Sequence, residues 1–406
     1  MQGQVQKRSR YADVLPAGGE RNTAQGYQAR NRLIVVMCAA VGVICLLFSQ
    51  TIFSRNAGHG MLQSAAIVSA GLELGAETLL QQPPPSDAMA ELDFPQPMAG
   101  IAAPQSREEA VTLKEFDITA TPKDVLVLME EAKAEFADQK KDGDIQSRTY
   151  TAKDATHQFG KLLVRNTTET QQNRAISKDL AAPLDLKIDK SKPAVLIFHT
   201  HTTEGYEILD RSWYATDWVS RTENGAKNVV RVGDAIAEML ERAGFEVIHE
   251  TEIFDRQYTG AYDKSRVAVL RHLAENPSIQ VTLDVHRDAI HTNNGVHIKP
   301  VAEIGKKKAA QVMIITGVNE GNIKDFPNWE KNLAFAAKVQ MAGEKQAPGL
   351  MRPLFFSPRR YNMNVTPFSL LLEMGSDANT LEEAIYSGRL MGTALADLLE
   401  DYVVSG

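Results

Sequence analysis

The chain has 406 residues, a formal net charge of -7, 43% hydrophobic and 23% charged residues. That composition suits one or two globular domains with linkers, and the acidic balance, with no basic block after the first ten residues, argues against a general nucleic-acid binder. The only cysteines, Cys38 and Cys45, share the most apolar segment, so no disulfide staples the rest and no thiolate there can act as nucleophile or ligand.

That segment, "LIVVMCAAVGVICLLFSQTIF" at 33–53, carries no charge and has about the length a helix needs to cross a bilayer. It is longer than the apolar core of a cleaved secretory signal, which points to a retained anchor. Lys7, Arg8, Arg10, Arg21, Arg30 and Arg32 precede it, while Arg55 is the only early cation after it. The positive-inside rule then puts residues 1–32 in the cytoplasm and everything from Ser54 onward outside the membrane. Residues 61–82 have helical composition, and Pro83, Pro84, Pro85, Pro95, Pro97 and Pro104 mark an extended linker. Residues 123–140 read as an amphipathic helix, and the whole of 54–185 reads as stalk, Pro-rich linker and juxtacatalytic material.

From residue 186 to 406 the texture is that of a domain. Val195 to Phe198 form a buried strand, and Asn228 can cap a helix with apolar Val229, Val232, Ile236, Met239 and Leu240, ended by Gly244. Strands at 245–249, 281–286, 312–318 and 369–373 alternate with helices at 263–275, 328–341 and 381–403. This is the pattern of an α/β fold: an open, mixed and mostly parallel sheet covered on both faces, in three layers. Its ligand crevice is expected beyond the carboxyl ends of the strands.

Three strands end on residues able to bind metal or move protons. The first runs "PAVLIFHTHTTEGYE" and stops at His199 and His201, with Glu204 close behind; another stops at Asp284, His286, Arg287 and Asp288; the last stops at Glu373. His199 and His201 point to opposite faces while the chain is extended, so one of them is a ligand and the other a residue behind the ligand or on the substrate side, with His201 preferred as ligand. Glu204 is a third ligand or a helix-start carboxylate. His286 is a ligand or a core histidine bonded to Asp284. Arg287 could hold a substrate carboxylate or simply pair with Asp288. His291 and His297 read as surface residues of a hairpin around "NNG". Two histidines and an acid match a catalytic zinc site with an open position, and Glu373, following three leucines, is part of a structural ion pair or suits proton transfer because burial raises a carboxylate's pKa. The expected reaction is metal-assisted amide hydrolysis, and outside a membrane the expected substrate is cell-wall peptide.

The blocks "VLIFHTHTTEGYE", "NVVRVGDAIAEMLERAGFEVIHE", "YDKSR", "LDVHRDA", "PGLMRPL" and "LLLEMGSDANTLEEA" resemble, in this order, the stage II sporulation protein P family over roughly residues 160–402. The resemblance implies a membrane-anchored peptidoglycan hydrolase similar in outline to zinc-dependent N-acetylmuramoyl-L-alanine amidases. It implies cleavage of the muramoyl–L-alanine amide, added peptide-crosslink endopeptidase activity, and work in septal wall remodelling and engulfment beside the sporulation stage II proteins D and M. It carries the family's histidines onto His201 (or His199) and His286 and its acid onto Glu373. One block departs from the family pattern: "YNMNVTP" (361–367), expected to border the substrate groove. The rival expectations are a zinc peptidase acting on crosslinks alone and a non-catalytic anchored scaffold that binds wall peptides.

Overall fold

The structure, a computed structural model, describes residues 116–135, 139–171, 178 and 180–404. The anchor expected at 33–53, the helical segment at 61–82 and the Pro-rich linker lie outside those residues. Among the described residues no helix is long and apolar enough to cross a membrane.

In chain order the elements are α1 (Lys123–Glu135), β1 (Lys141–Arg148), β2 (His157–Phe159), β3 (Leu162–Asn166), β4 (Pro193–Phe198), β5 (Trp213–Ala215), α2 (Val229–Arg242), β6 (Glu246–His249), α3 (Ala261–Glu275), β7 (Val281–Asp288), β8 (His297–Ile304), β9 (Lys307–Ala310), β10 (Val312–Gly317), α4 (Trp329–Gln346), β11 (Leu354–Ser357), β12 (Phe368–Ser376) and α5 (Leu381–Glu400). Helix α2 starts where Asn228 Oδ1 accepts from Val230 N at 3.0 Å. It stops just before Gly244, whose φ of +85° turns the chain into β6. Helix α5 starts on a reciprocal capping box between Thr380 and Glu383.

Eight strands form the main sheet in the order β2-β3-β11-β10-β12-β7-β4-β6. The run β12-β7-β4-β6 is parallel, and β10 is antiparallel to β12, so the sheet is mixed as expected. Alternation along β4 serves both faces. Val195 and Ile197 join the large core containing Val232, Ile236 and Leu240 of α2. Leu196 and Phe198 meet Val269 of α3 and Ile279 on the other face.

Strands upstream of the expected domain boundary at 186 join both sheets. β3 pairs in parallel with β11 inside the main sheet, and β1 joins β5, β8 and β9 in a second, four-stranded sheet. Residues 141–166, within the stretch read as stalk, Pro-rich linker and juxtacatalytic material, thus contribute strands to both sheets. The expected helix at 123–140 is present as the shorter α1.

Candidate active site

Parallel pairing brings the three strand ends to one edge. Phe198 of β4 registers with Asp284 of β7, and His286 of β7 registers with Glu373 of β12. The chain leaving β4 is tied back to the sheet, because Asp284 accepts from Thr200 N at 2.8 Å and from Thr200 Oγ1 at 2.7 Å. Asp255 does the same one step on, accepting from Thr203 N at 3.0 Å and Arg221 Nη1 at 2.6 Å. His201 and Glu204 are thus held on a fastened turn.

His201 is 6% exposed. Its ring stacks on Tyr258 with centroids 4.5 Å apart and meets His286 edge-on at 5.4 Å. Burial drives its pKa down to about 4, so the ring is neutral at pH 7 and keeps a lone pair. Nδ1 is buried without a hydrogen bond, 3.8 Å from Asp255 Oδ2.

His286 lies between two carboxylates, with Glu204 Oε2 3.2 Å from Nδ1 and Asp284 Oδ1 2.8 Å from Nε2. The Asp284 approach is close but lies outside hydrogen-bond geometry, so Nε2 is in charge contact and unbonded. Burial alone would lower this histidine; Asp284 and Glu204 outweigh it and raise its pKa well above the ordinary value. Burial acts to raise Glu204, but the His286 and Arg287 charges hold it down to about 2. Two carboxylates around one imidazole favour a positive charge at this spot, whether a proton or a metal ion supplies it.

Glu373 is half-buried, and its Oε2 is sealed without a hydrogen bond. Burial, then the nearby Asp288 charge, pushes its pKa up to about 8. Tyr262 stacks on Tyr361 at 5.0 Å and lies 6.4 Å from the His286 ring, so the 361–367 loop does border the site.

The arrangement suits a metal in several respects. The unbonded buried atoms include two imidazole nitrogens, at His201 and His286. The 3.2 Å separation of His286 Nδ1 and Glu204 Oε2 is close to the edge of about 3.3 Å implied by zinc bonds of ~2.0–2.1 Å in a tetrahedral site. Asp284 against the far nitrogen of His286 has the position of a carboxylate that orients a ligating histidine. His201 stands further off: His201, Glu204 and His286 do not form a group whose ligand atoms all lie within 4.8 Å of one another. Among the described residues the group that does is His291, His297 and Asp377.

Two expectations need correction. His199 is fully buried, with Nδ1 2.8 Å from Val285 O and Nε2 2.8 Å from His249 Nε2, so no substrate reaches it. Arg287 is spent inside the protein as well. Its Nε and Nη2 donate to Gly205 O at 3.0 Å and Ser220 O at 2.7 Å, and its backbone N donates to Glu204 Oε2 at 3.1 Å. It fixes the loop that carries Glu204 and is not an ion pair with Asp288, which binds Arg352 at 3.0 Å instead. Sequence reading missed Asp255, Tyr258 and Tyr262; the spacing of the two tyrosines, four residues apart where α3 begins, was the available signal.

A profile of the family described as Stage II sporulation protein P matches residues 107–396. The chain belongs to that family. It is 31% identical over 227 residues to Stage II sporulation protein P of Bacillus subtilis (strain 168), covering 53% of this chain and 53% of the relative. The chain thus spans about half the length of the curated relative it matches. Solved structures similar to it include N-acetylmuramoyl-L-alanine amidase AmiC2 of Nostoc punctiforme, at 12% identity and a TM-score of 0.31 over 53% of this chain and 98% of that one. Another is the CwlD amidase of Clostridioides difficile in complex with the GerS lipoprotein, at 11% identity and a TM-score of 0.32 over 51% of this chain and 99% of that one. Likenesses of that size carry no inference about chemistry.

Proposed function

We propose that this chain is a zinc-dependent peptidoglycan hydrolase that cleaves the N-acetylmuramoyl–L-alanine amide during sporulation, with peptide-crosslink endopeptidase activity at the same site. The observation that carries this reading is the convergence of three strand ends on His201, His286 and Glu373, with His201 Nδ1 and Glu373 Oε2 buried and unbonded. Leaving polar atoms buried and unsatisfied costs about 1–3 kcal/mol each, a cost that a bound metal and substrate would offset. Family membership supports the sporulation context.

In this reading His201, Glu204 and His286 would hold zinc, which supplies Lewis acidity to activate water and polarise an amide carbonyl. The protein's own residues do the rest. Asp284, fixed by Thr200, sets the plane of the His286 ring, while Arg287 and Arg221 hold Glu204. Glu373, with a pKa near neutrality, can take a proton at Oε2 from attacking water and return it to the departing amine. Tyr258 stacks on His201, and Tyr262 stacks on Tyr361, so aromatic rings line one side of the site. We further propose that residues 33–53 anchor the chain with its catalytic part outside the membrane, and that the stage II proteins D and M are partners.

The test is digestion of purified peptidoglycan by the full chain, with mass analysis of the released fragments. New free L-alanine amines on glycan-released peptides are expected. Release of crosslink fragments alone would move the reading to a peptidase. Binding without any cleavage, with zinc supplied, would leave a scaffold.

A further inference from the structure

A second group of metal-ligating side chains lies outside the site described above. A hairpin closes where Thr292 N donates to Val296 O at 2.9 Å, with Gly295 turning at a φ of +77°. It lays His291 over His297, the first residue of β8, with ring centroids 3.8 Å apart. Asp377, which follows β12, places Oδ2 2.8 Å from His291 Nε2. One ligand atom from each of the three residues lies within 4.8 Å of the others.

Two atoms of this group have no partner. His297 Nδ1 and Asp377 Oδ1 are buried without hydrogen bonds, on residues only 7% and 1% exposed. Tyr214, stacked at 4.0 Å, and His291 sandwich the His297 ring, and Trp218 meets its edge at 5.1 Å. The ring is therefore fixed in place, with Nδ1 left without a partner. A preset imidazole with an unbonded nitrogen, beside a buried carboxylate with an unbonded oxygen, is the donor set of a metal site.

We propose that His291, His297 and Asp377 bind a divalent transition-metal ion of the zinc class, at a site separate from His201, Glu204 and His286. Two nitrogens and one carboxylate oxygen suit zinc or cobalt rather than magnesium or calcium, which require mostly oxygen donors. His291 is the mobile ligand. Its side chain is 42% exposed, so it can leave the stack and turn a nitrogen edge-on to the ion. His297 and Asp377 stay fixed. The ion joins the first residue of β8, in the four-stranded sheet, to the end of β12 in the main sheet, and so clamps the two sheets together.

The test uses the full chain stripped of metal by a chelator, then dialysed against zinc and, separately, cobalt(II). Parent, His286→Ala, His291→Ala and the double variant are compared for bound metal and for the visible absorption of cobalt(II). His291→Ala changes an exposed side chain, and its fold is checked by circular dichroism. The expected result is loss of one metal equivalent in His291→Ala. Cobalt absorption should persist in His286→Ala and vanish in the double variant. Asp377→Asn, of the same shape, should weaken zinc at least tenfold in the His286→Ala background. If the parent binds one equivalent, kept in His286→Ala and lost in His291→Ala, this site stands and the other metal reading fails. Equal metal content in parent and His291→Ala would overturn the site.

Discussion

Glu373 sits directly across from His286 on neighbouring parallel strands, so one register places a carboxyl group beside an imidazole held between two carboxylates. Glu373→Gln preserves shape and removes the titrating group. Hydrolysis of peptidoglycan should fall by about 10²–10⁴, while bound zinc stays at the parent level. Loss of zinc in this variant would make Glu373 a ligand, and retained activity would remove it from the mechanism.

The same carboxyl gives a pH signature in the metal-free protein. Its pKa rises from 4.5 to about 8 on folding, so between those values the native state holds a proton that the unfolded state has released. Stability from this group therefore falls as pH rises through that window and levels off above it. Glu373→Gln removes the penalty. Relative to the parent, its unfolding free energy should be unchanged near pH 4 and higher by roughly 1–2 kcal/mol at pH 9, a value discounted for coupling to its neighbours. Denaturant melts at the two pH values measure the difference, and a variant offset that does not change with pH would contradict it.

Gly233 of α2 lies against the buried His199–His249 pair. A Cβ there would stand 2.6 Å from His249 Nε2 and 2.7 Å from His199 Nε2. Gly233→Ala must push apart two rings joined at 2.8 Å, and overpacking of this kind costs about 1–3 kcal/mol. A lowered midpoint in urea with unchanged slope is the expected result. A neutral or stabilising change would show that the two rings move freely.

The orientation of the chain in a membrane is open to direct measurement. With residues 1–32 cytoplasmic, a tag before Lys7 should resist external protease in intact protoplasts, and a tag after Gly406 should be digested. The reverse pattern would remove the wall as a substrate.

The parts of the fold legible in the sequence were those with a local cause. Asn228 and Gly244 bracket α2 because a cap and a left-handed turn are single-residue signals. The convergence of His201, His286 and Glu373 was legible because parallel strands share an edge. β1 was not legible: "KDGDIQSR" buries only Ile145, and backbone pairing to β8 and β5 holds it without a side-chain pattern. β8 hides its burial in polar residues, since Lys299 is 2% exposed and satisfied only by the distant Asp210 and Glu383. The hairpin around Gly295 was read correctly, yet His297 is interior, because Tyr214, more than eighty positions away, covers its ring. Alternation separated His199 from His201 as expected. What His199 faces depended on Gly233, whose missing side chain leaves room for the ring.

Asp284 separates a structural from a chemical role within one side chain. It is 3% exposed and accepts from Thr200 N and Thr200 Oγ1, while Oδ1 also touches His286 Nε2 at 2.8 Å. Asp284→Asn keeps an oxygen for the Thr200 N–H. Its amide can donate to Thr200 Oγ1, whose hydroxyl is then free to bond Ser265 Oγ, 2.8 Å away. The turn carrying His201 and Glu204 should therefore stay folded, with a midpoint lowered only modestly. The carboxylate charge beside His286 is lost, however, and that charge is the strongest of those raising the histidine's pKa. Proton titration of His286 by NMR in the metal-free chain should move to lower pH. Zinc affinity in the His291→Ala background, where the other candidate group is disabled, should weaken by about 10–100-fold, as when a carboxylate behind a ligating histidine is removed. Unchanged zinc affinity together with an unchanged His286 titration would reduce Asp284 to a tie for the turn alone.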